Sequence, residues 1–142
     1  MLAGRGDRLV LLSLRQDPAA FAAQVGRLGI AGAFDRVDAG RTSEDGRLAK
    51  RALVERAGPA GLAAMVGDTE ADVGAALALG LMPVAVTTGL RNRSFLVATG
   101  ATAVVDRIGQ VPAVLEAARR PRPWATQAAS SAMPSTRVTW GV

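Results

Sequence analysis

The sequence predicts an α/β fold with a doubly wound parallel sheet. Short, nearly continuous apolar runs alternate with single stretches of helical periodicity, and Gly, Asp or Thr turns separate most runs from the helix that follows. Strands apolar on both faces belong to parallel sheets covered on both sides, and strand-helix alternation builds the crossover units of such sheets. Ligands of these folds bind outside the carboxyl ends of the strands. The residues of first interest are therefore Ser13, Asp68, Thr87 to Leu90 and Asp106.

The first strand is expected at residues 8–14, RLVLLSL, with Ser13 at its end. Asp17 then offers an N-cap and Pro18 a first helical residue, with Phe21, Val25 and Leu28 at helical spacing and Gly29 as the stop. A short strand follows near residues 34–38. Residues 46–57 predict an amphipathic helix with Leu48, Ala52 and Leu53 inward, ended by Gly58-Pro59. The run 62–66, LAAMV, predicts a buried strand, Gly67-Asp68-Thr69 a strand-to-helix turn, and 71–79 a helix stopped by Gly80. Strands at 83–87 and 103–105 and helices at 94–99 and 111–118 complete the pattern, which covers residues 1–118. Residues 119–142 show no periodicity and are expected to be a disordered tail.

With 142 residues, 49% hydrophobic and 20% charged, one core is expected. The chain contains no Cys, His or Tyr. That excludes disulfide scaffolds, thiolate nucleophiles, serine-histidine triads and histidine zinc sites. Asp, Glu, Lys, Arg, Ser and Thr remain, a set suited to oxygen-ligated magnesium and to phosphate. The opening residues carry Arg5, Asp7 and Arg8 without a long apolar run, and the stretch 73–86 is too short to span a bilayer, so a cytoplasmic protein without membrane contact is expected. Net charge is +5, but the arginines are spread along the chain and few aromatics exist to stack on bases. A nucleic-acid partner is not expected.

Three features can carry chemistry. Gly67-Asp68-Thr69-Glu70-Ala71-Asp72 places two carboxylates one helical turn apart beside a helix N-terminus. They could ligate magnesium, or Thr69 and Asp72 could form a capping box. Ser13 could hold a phosphate oxygen or form a turn. Lys50, the single lysine among 17 basic residues, could be a required ammonium or a chance surface residue.

Their order, strand-Ser, helix-Lys, strand-Gly-Asp-x-x-x-Asp, resembles the haloacid dehalogenase (HAD) superfamily, in particular its phosphoglycolate phosphatase-like branch with a small helical cap. Residues 9–13, LVLLS, look like its second motif, Lys50 its third and residues 67–72 its fourth, and the flanking 29–37, 76–80 and 100–106 agree. The resemblance implies a Rossmann-like HAD core and a magnesium-dependent hydrolase of small phosphorylated metabolites. It implies phosphate binding by Ser13 and Lys50, Lys50 also being catalytic, and a magnesium site of Asp68 and Asp72 in which Asp68 ligates the ion and Asp72 helps fix the metal's water shell or Lys50. Such proteins begin with a strand ending in Asp-x-Asp, and no Asp-x-Asp follows an apolar strand in the 142 residues. The first strand and cap are thus expected to be lacking, leaving two strand edges unpaired. Truncation, a split protein completed by a missing N-terminal half or oligomer partner, and a non-catalytic binding module are the readings left open.

Overall fold

The computed structural model describes residues 6–120 and 137–141. β1 (Arg8–Arg15) leads through α1 (Pro18–Arg27) to β2 (Arg36–Arg41), then α2 (Gly46–Ala57), β3 (Leu62–Gly67), α3 (Glu70–Ala78), β4 (Met82–Val86), α4 (Arg93–Ala98), β5 (Ala103–Val105), α5 (Val111–Arg119) and β6 (Arg137–Gly141). All strand pairs are parallel, in the order β2-β1-β6-β3-β4-β5. The doubly wound parallel sheet predicted from the apolar runs is present.

Helices start and stop where local chemistry dictates. Asp17 caps α1 by accepting from the amides of Ala19 and Ala20, and Asp45 caps α2 by accepting from Arg47 and Leu48. Gly29 and Gly80, which follow α1 and α3, take positive φ of 67° and 68°, a conformation that costs glycine little.

Two apolar layers flank the sheet. On one face α1 and α5 pack Phe21, Val25, Val111 and Leu115 against Leu9, Leu11, Val66, Val84 and Val138. On the other α2, α3 and α4 pack Leu53, Val54, Ala75, Ala76 and Leu96 against Val10, Leu12, Met65 and Ala85. Strand alternation sorts each β1 residue to one layer, so Leu12 faces α2 while Ser13 shares the α1 face with Leu11.

The burial of three residues departs from the expected pattern. Leu28 and Leu48 are more than 60% exposed, and Ala52 is also exposed. The inward stripe of α2 is Lys50, Leu53, Val54 and Ala57. Treating lysine as an outside residue rotates the apparent apolar face; burying it with a partner turns the helix to its true phase.

The largest correction concerns the C-terminal segment. Residues 121–136, expected as part of a disordered tail, lie outside the described residues, but Arg119 ends α5 and its Nη2 meets Asp7 Oδ1 at 2.7 Å. Residues 137–141 form a central strand. β6 pairs with β1 (Val10 with Thr139, Leu12 with Gly141) and with β3 (Met65 with Thr139, Val66 with Trp140), with a register shift between Leu62 and Ala64. The two edges expected to be bare are therefore both hydrogen-bonded, which removes the cost of orphaned backbone groups in the middle of a sheet. Val138 and Trp140 join the α1/α5 layer. Thr139 and Gly141 consequently face the α2/α3 side.

Candidate active site

The carboxyl ends of β1, β6 and β3 form a rim into which α2 and α3 send one side chain each. From α2 the Lys50 amine reaches Leu12 O at 3.5 Å and Asp72 Oδ1 at 3.0 Å, and both Lys50 and Asp72 are only 3% exposed. Asp72 Oδ1 meets Lys50 as an ion pair without an aligned hydrogen bond, and it is buried with no other partner among the described residues. Asp72 Oδ2 accepts from the Thr69 amide at 3.2 Å and from Thr69 Oγ1 at 2.8 Å. The capping and charge-pairing readings of Asp72 thus hold together. One oxygen closes the first turn of α3, and the other neutralises a buried ammonium, since neither charge could be desolvated alone.

Two glycines make room for this carboxylate. A Cβ built on Gly67, at the end of β3, or on Gly141, at the end of β6, would fall on Asp72 itself; on Gly141 it would also lie 3.2 Å from Lys50 Cε. The β6 end therefore delivers bare backbone against the Lys50-Asp72 pair. Glycine allows that close approach because it has no side chain.

Asp68 has a different environment. It follows β3, is partly exposed, and lies against Gly89, where any Cβ would strike its carboxylate. No hydrogen bond or ion pair engages that carboxylate among the described residues. It lines a hollow of about 140 Å³ with Gly67, Thr88, Ile108, Trp140 and Gly141. The rim loop bearing Gly89 is fastened by a bidentate clasp in which Arg91 Nε and Nη2 donate to Glu70 at 2.8 and 2.6 Å. Those hydrogen bonds from Arg91 hold the Glu70 carboxyl below the ordinary glutamate range. Beyond β5, Asp106 is taken by Arg93 Nη2 at 2.6 Å and by Thr87 Oγ1 at 3.2 Å. The Arg93 hydrogen bond lowers its pKa.

The four predicted site residues do not converge equally. Lys50 and Asp72 touch, and Asp68 lies nearby across Gly67 and Gly141. Ser13 is fully buried within β1, two residues before its end. Its Oγ accepts from Arg15 Nε at 3.0 Å, on the α1 face. Nothing local marks the participation of Trp140 and Gly141, because a five-residue strand at the end of an aperiodic segment carries no pattern of its own.

Magnesium can be tested against these donors. Among the described residues no group of three or more acidic ligands exists. Asp72 is committed on both oxygens, which leaves Asp68 as the carboxylate able to ligate. One or two carboxylates completed by water and substrate phosphate is a usual magnesium arrangement. The donor set fits the ion in that mode. Without a cation, an unpaired carboxylate at this rim would repel a phosphate.

Comparison with known proteins agrees with the geometry. Residues 46–113 match the family model described as HAD-hydrolase-like. The structure of a protein assigned as a phosphatase from Clostridium acetobutylicum superposes with a TM-score of 0.63 at 29% identity, over 81% of this chain and 55% of that one. A protein assigned as a phosphoglycolate phosphatase from Lactobacillus delbrueckii subsp. bulgaricus gives 0.64 at 24% identity, over 80% and 48%. One assigned as a β-phosphoglucomutase from Thermotoga maritima gives 0.62 at 21%, over 82% and 55%. These last two likenesses speak for the fold alone. The chain spans about half the length of each of these structures. No curated protein matches the chain. No helix among the described residues is long and apolar enough to cross a membrane.

Proposed function

With membership of the HAD-like hydrolase superfamily as the premise, we propose that this chain supplies the phosphate and magnesium side of a phosphomonoester hydrolase acting on a small phosphorylated metabolite. The observation that carries the proposal is the pairing of opposite fates for two carboxylates one turn apart. Asp72 is buried on Lys50, whereas the Asp68 carboxylate at the rim has no hydrogen-bond or ion-pair partner among the described residues.

In this reading Asp68 holds magnesium. The ion supplies positive charge to a phosphoryl oxygen when bound. Lys50, fixed by Leu12 O and Asp72, adds a fixed ammonium charge close to the reacting group, a contribution that is strong in a dry site and needs no reorganisation. Asp72 acts as the orienting partner of Lys50 instead of a second metal ligand. Ser13 anchors Arg15 at the end of the same strand. The site operates in a cytoplasmic setting, where phosphorylated metabolites and magnesium coexist.

One observation favours a second reading, a phosphate-binding module without turnover. The strand end beside Lys50 carries Gly141 and hence no nucleophile, and the 142 residues contain no Asp-x-Asp. Hydrolysis through an aspartyl phosphate is accordingly not expected of these residues alone.

Calorimetric titration with inorganic phosphate, with and without magnesium, tests the binding step. Binding should require magnesium and disappear in Asp68→Ala, whose stability should stay within about 0.5 kcal/mol of the parent because the Asp68 carboxylate has no hydrogen-bond or ion-pair partner among the described residues. Magnesium-independent binding unaffected by Asp68→Ala would sink the assignment. Hydrolysis of p-nitrophenyl phosphate separates the readings: magnesium-dependent turnover by the 142-residue chain would overturn the claim that it lacks a nucleophile.

A further inference from the structure

Four buried side-chain polar atoms have no hydrogen-bond partner among the described residues, and two of them, Thr139 Oγ1 and Trp140 Nε1, belong to the five-residue strand β6. A third, Asp72 Oδ1, lies where a Cβ on Gly141 of the same strand would fall. Thr139 is fully buried in register with Val10 of β1 and Met65 of β3, both in the apolar layer under α2 and α3, so its hydroxyl meets hydrocarbon. Trp140 packs into the opposite layer beside Leu11 and Phe21, and its indole N–H is likewise unanswered. Each such orphan weakens the seating of a strand by about five- to 150-fold. The ladder is imperfect as well, since the pairing of β6 with β3 shifts register between Leu62 and Ala64.

The slot itself is well made. Its walls contribute Val10, Leu12, Met65 and Val66, none more than 1% exposed. An apolar strand therefore suits it better than β6 does. The departure of β6 would leave the other elements in one piece, because β1 to β5 and α1 to α5 follow one another from Arg8 to Arg119, and residues 121–136 stand between α5 and β6 in sequence.

We infer that the slot between β1 and β3 is an exchangeable strand-binding site, in which β6 is a displaceable occupant and the favoured partner is an extended apolar segment of another polypeptide. That segment adds as a parallel strand. It presents an aliphatic side chain between Val10 and Met65, where Thr139 stands, and an aromatic ring without an N–H in place of Trp140. At the position of Gly141 it carries glycine, because any Cβ there meets Asp72. Main-chain pairing to both walls gives affinity, and the alternating side chains give specificity. A second copy of β6 gains nothing by entering, since it brings the same hydroxyl and indole. Gly141 and Trp140 also line the Asp68 hollow, so exchange of the strand replaces one wall of the candidate site.

Fluorescence anisotropy with labelled peptides tests the inference. The probes are RVTWGV, the sequence of residues 137–142, its variant RVVFGV, and a scramble of that variant. The 142-residue chain is unfolded in urea and diluted into buffer with each peptide, so that slow opening of β6 does not limit exchange. RVVFGV should bind about tenfold or more tightly than RVTWGV, and the scramble should not bind. Thr139→Val in the chain should seat its own strand better, and so weaken RVVFGV by about tenfold while raising the urea midpoint of the chain alone.

No binding of RVVFGV to the parent overturns the inference, because β6 then does not yield. Binding that Thr139→Val leaves unchanged overturns it too, because the peptide then sits elsewhere, and so does equal binding of the scramble. Equal or tighter binding of RVTWGV overturns it in favour of strand exchange between copies. A lowered midpoint of Thr139→Val would mean that the hydroxyl has a partner, which removes the ground for the inference.

Discussion

Replacing Gly141 by alanine asks whether the C-terminal strand is seated where the ion pair lies. The added methyl would coincide with Asp72 Oδ1 and stand 3.2 Å from Lys50 Cε, both buried, so neither can retreat into solvent. Overpacking of a tight interior costs about 1–3 kcal/mol, and separating a buried pair about 3–5 kcal/mol. Partial displacement of Asp72 falls between, giving an expected loss of about 2–4 kcal/mol out of the 5–15 kcal/mol typical of a domain. With a urea slope of about 1–3 kcal/mol per molar, the unfolding midpoint should drop by about 1–2 M. Gly26→Ala in α1 is the control. Nothing lies within 4 Å of its new methyl, and removing a helical glycine should raise stability by up to about 1 kcal/mol. Far-UV circular dichroism during urea unfolding reads both. A Gly141→Ala midpoint equal to the parent's would refute the packing of β6 against Lys50 and Asp72.

Three further outcomes are expected. Lys50→Met should cost about 3–5 kcal/mol by leaving Asp72 buried without a counter-charge, and adding Asp72→Leu should recover part of that loss; additive effects in thermal melts would show that the two charges do not interact. Deleting residues 137–142 should bare the facing edges of β1 and β3 and drive self-association, visible in analytical ultracentrifugation; a monomeric, equally stable product would mean that β6 contributes nothing to the sheet. Glu70 titrates below the ordinary 4.5 because of Arg91, so its stabilising contribution is complete above that value and is lost as pH falls through the depressed one. Glu70→Gln should therefore flatten the fall in melting temperature between about pH 5 and pH 3, modestly, since the clasp is partly exposed and screened by water. An unchanged slope would remove the clasp from the acid response.

Local order along this chain was legible because it depends on neighbours in sequence. The apolar runs, the cap at Asp17 and the glycine stops at Gly29 and Gly80 each act within a few residues, and they located β1 to β5 and α1 to α5 with shifts of at most three residues at their ends. The Gly-Asp-x-x-x-Asp turn was likewise readable, since a strand end followed by a helix start fixes Asp68 and Asp72 one turn apart. Its glycine has a reason that only packing displays, because Asp72 presses on Gly67 from within the same turn.

Tertiary structure decided what depended on partners distant in sequence. Lys50 could be a surface residue or a required ammonium until Asp72, far along the chain, was brought to its amine; a lysine's place is set by where its counter-charge lies. Ser13 and Lys50 occupy neighbouring elements yet face opposite layers, a matter of strand alternation in the folded sheet. The position of β6 was beyond any local signal. Five residues gain a structure only from the two strand edges that receive them, and those edges exist once β1 and β3, separated by roughly half a hundred residues, have come together on either side.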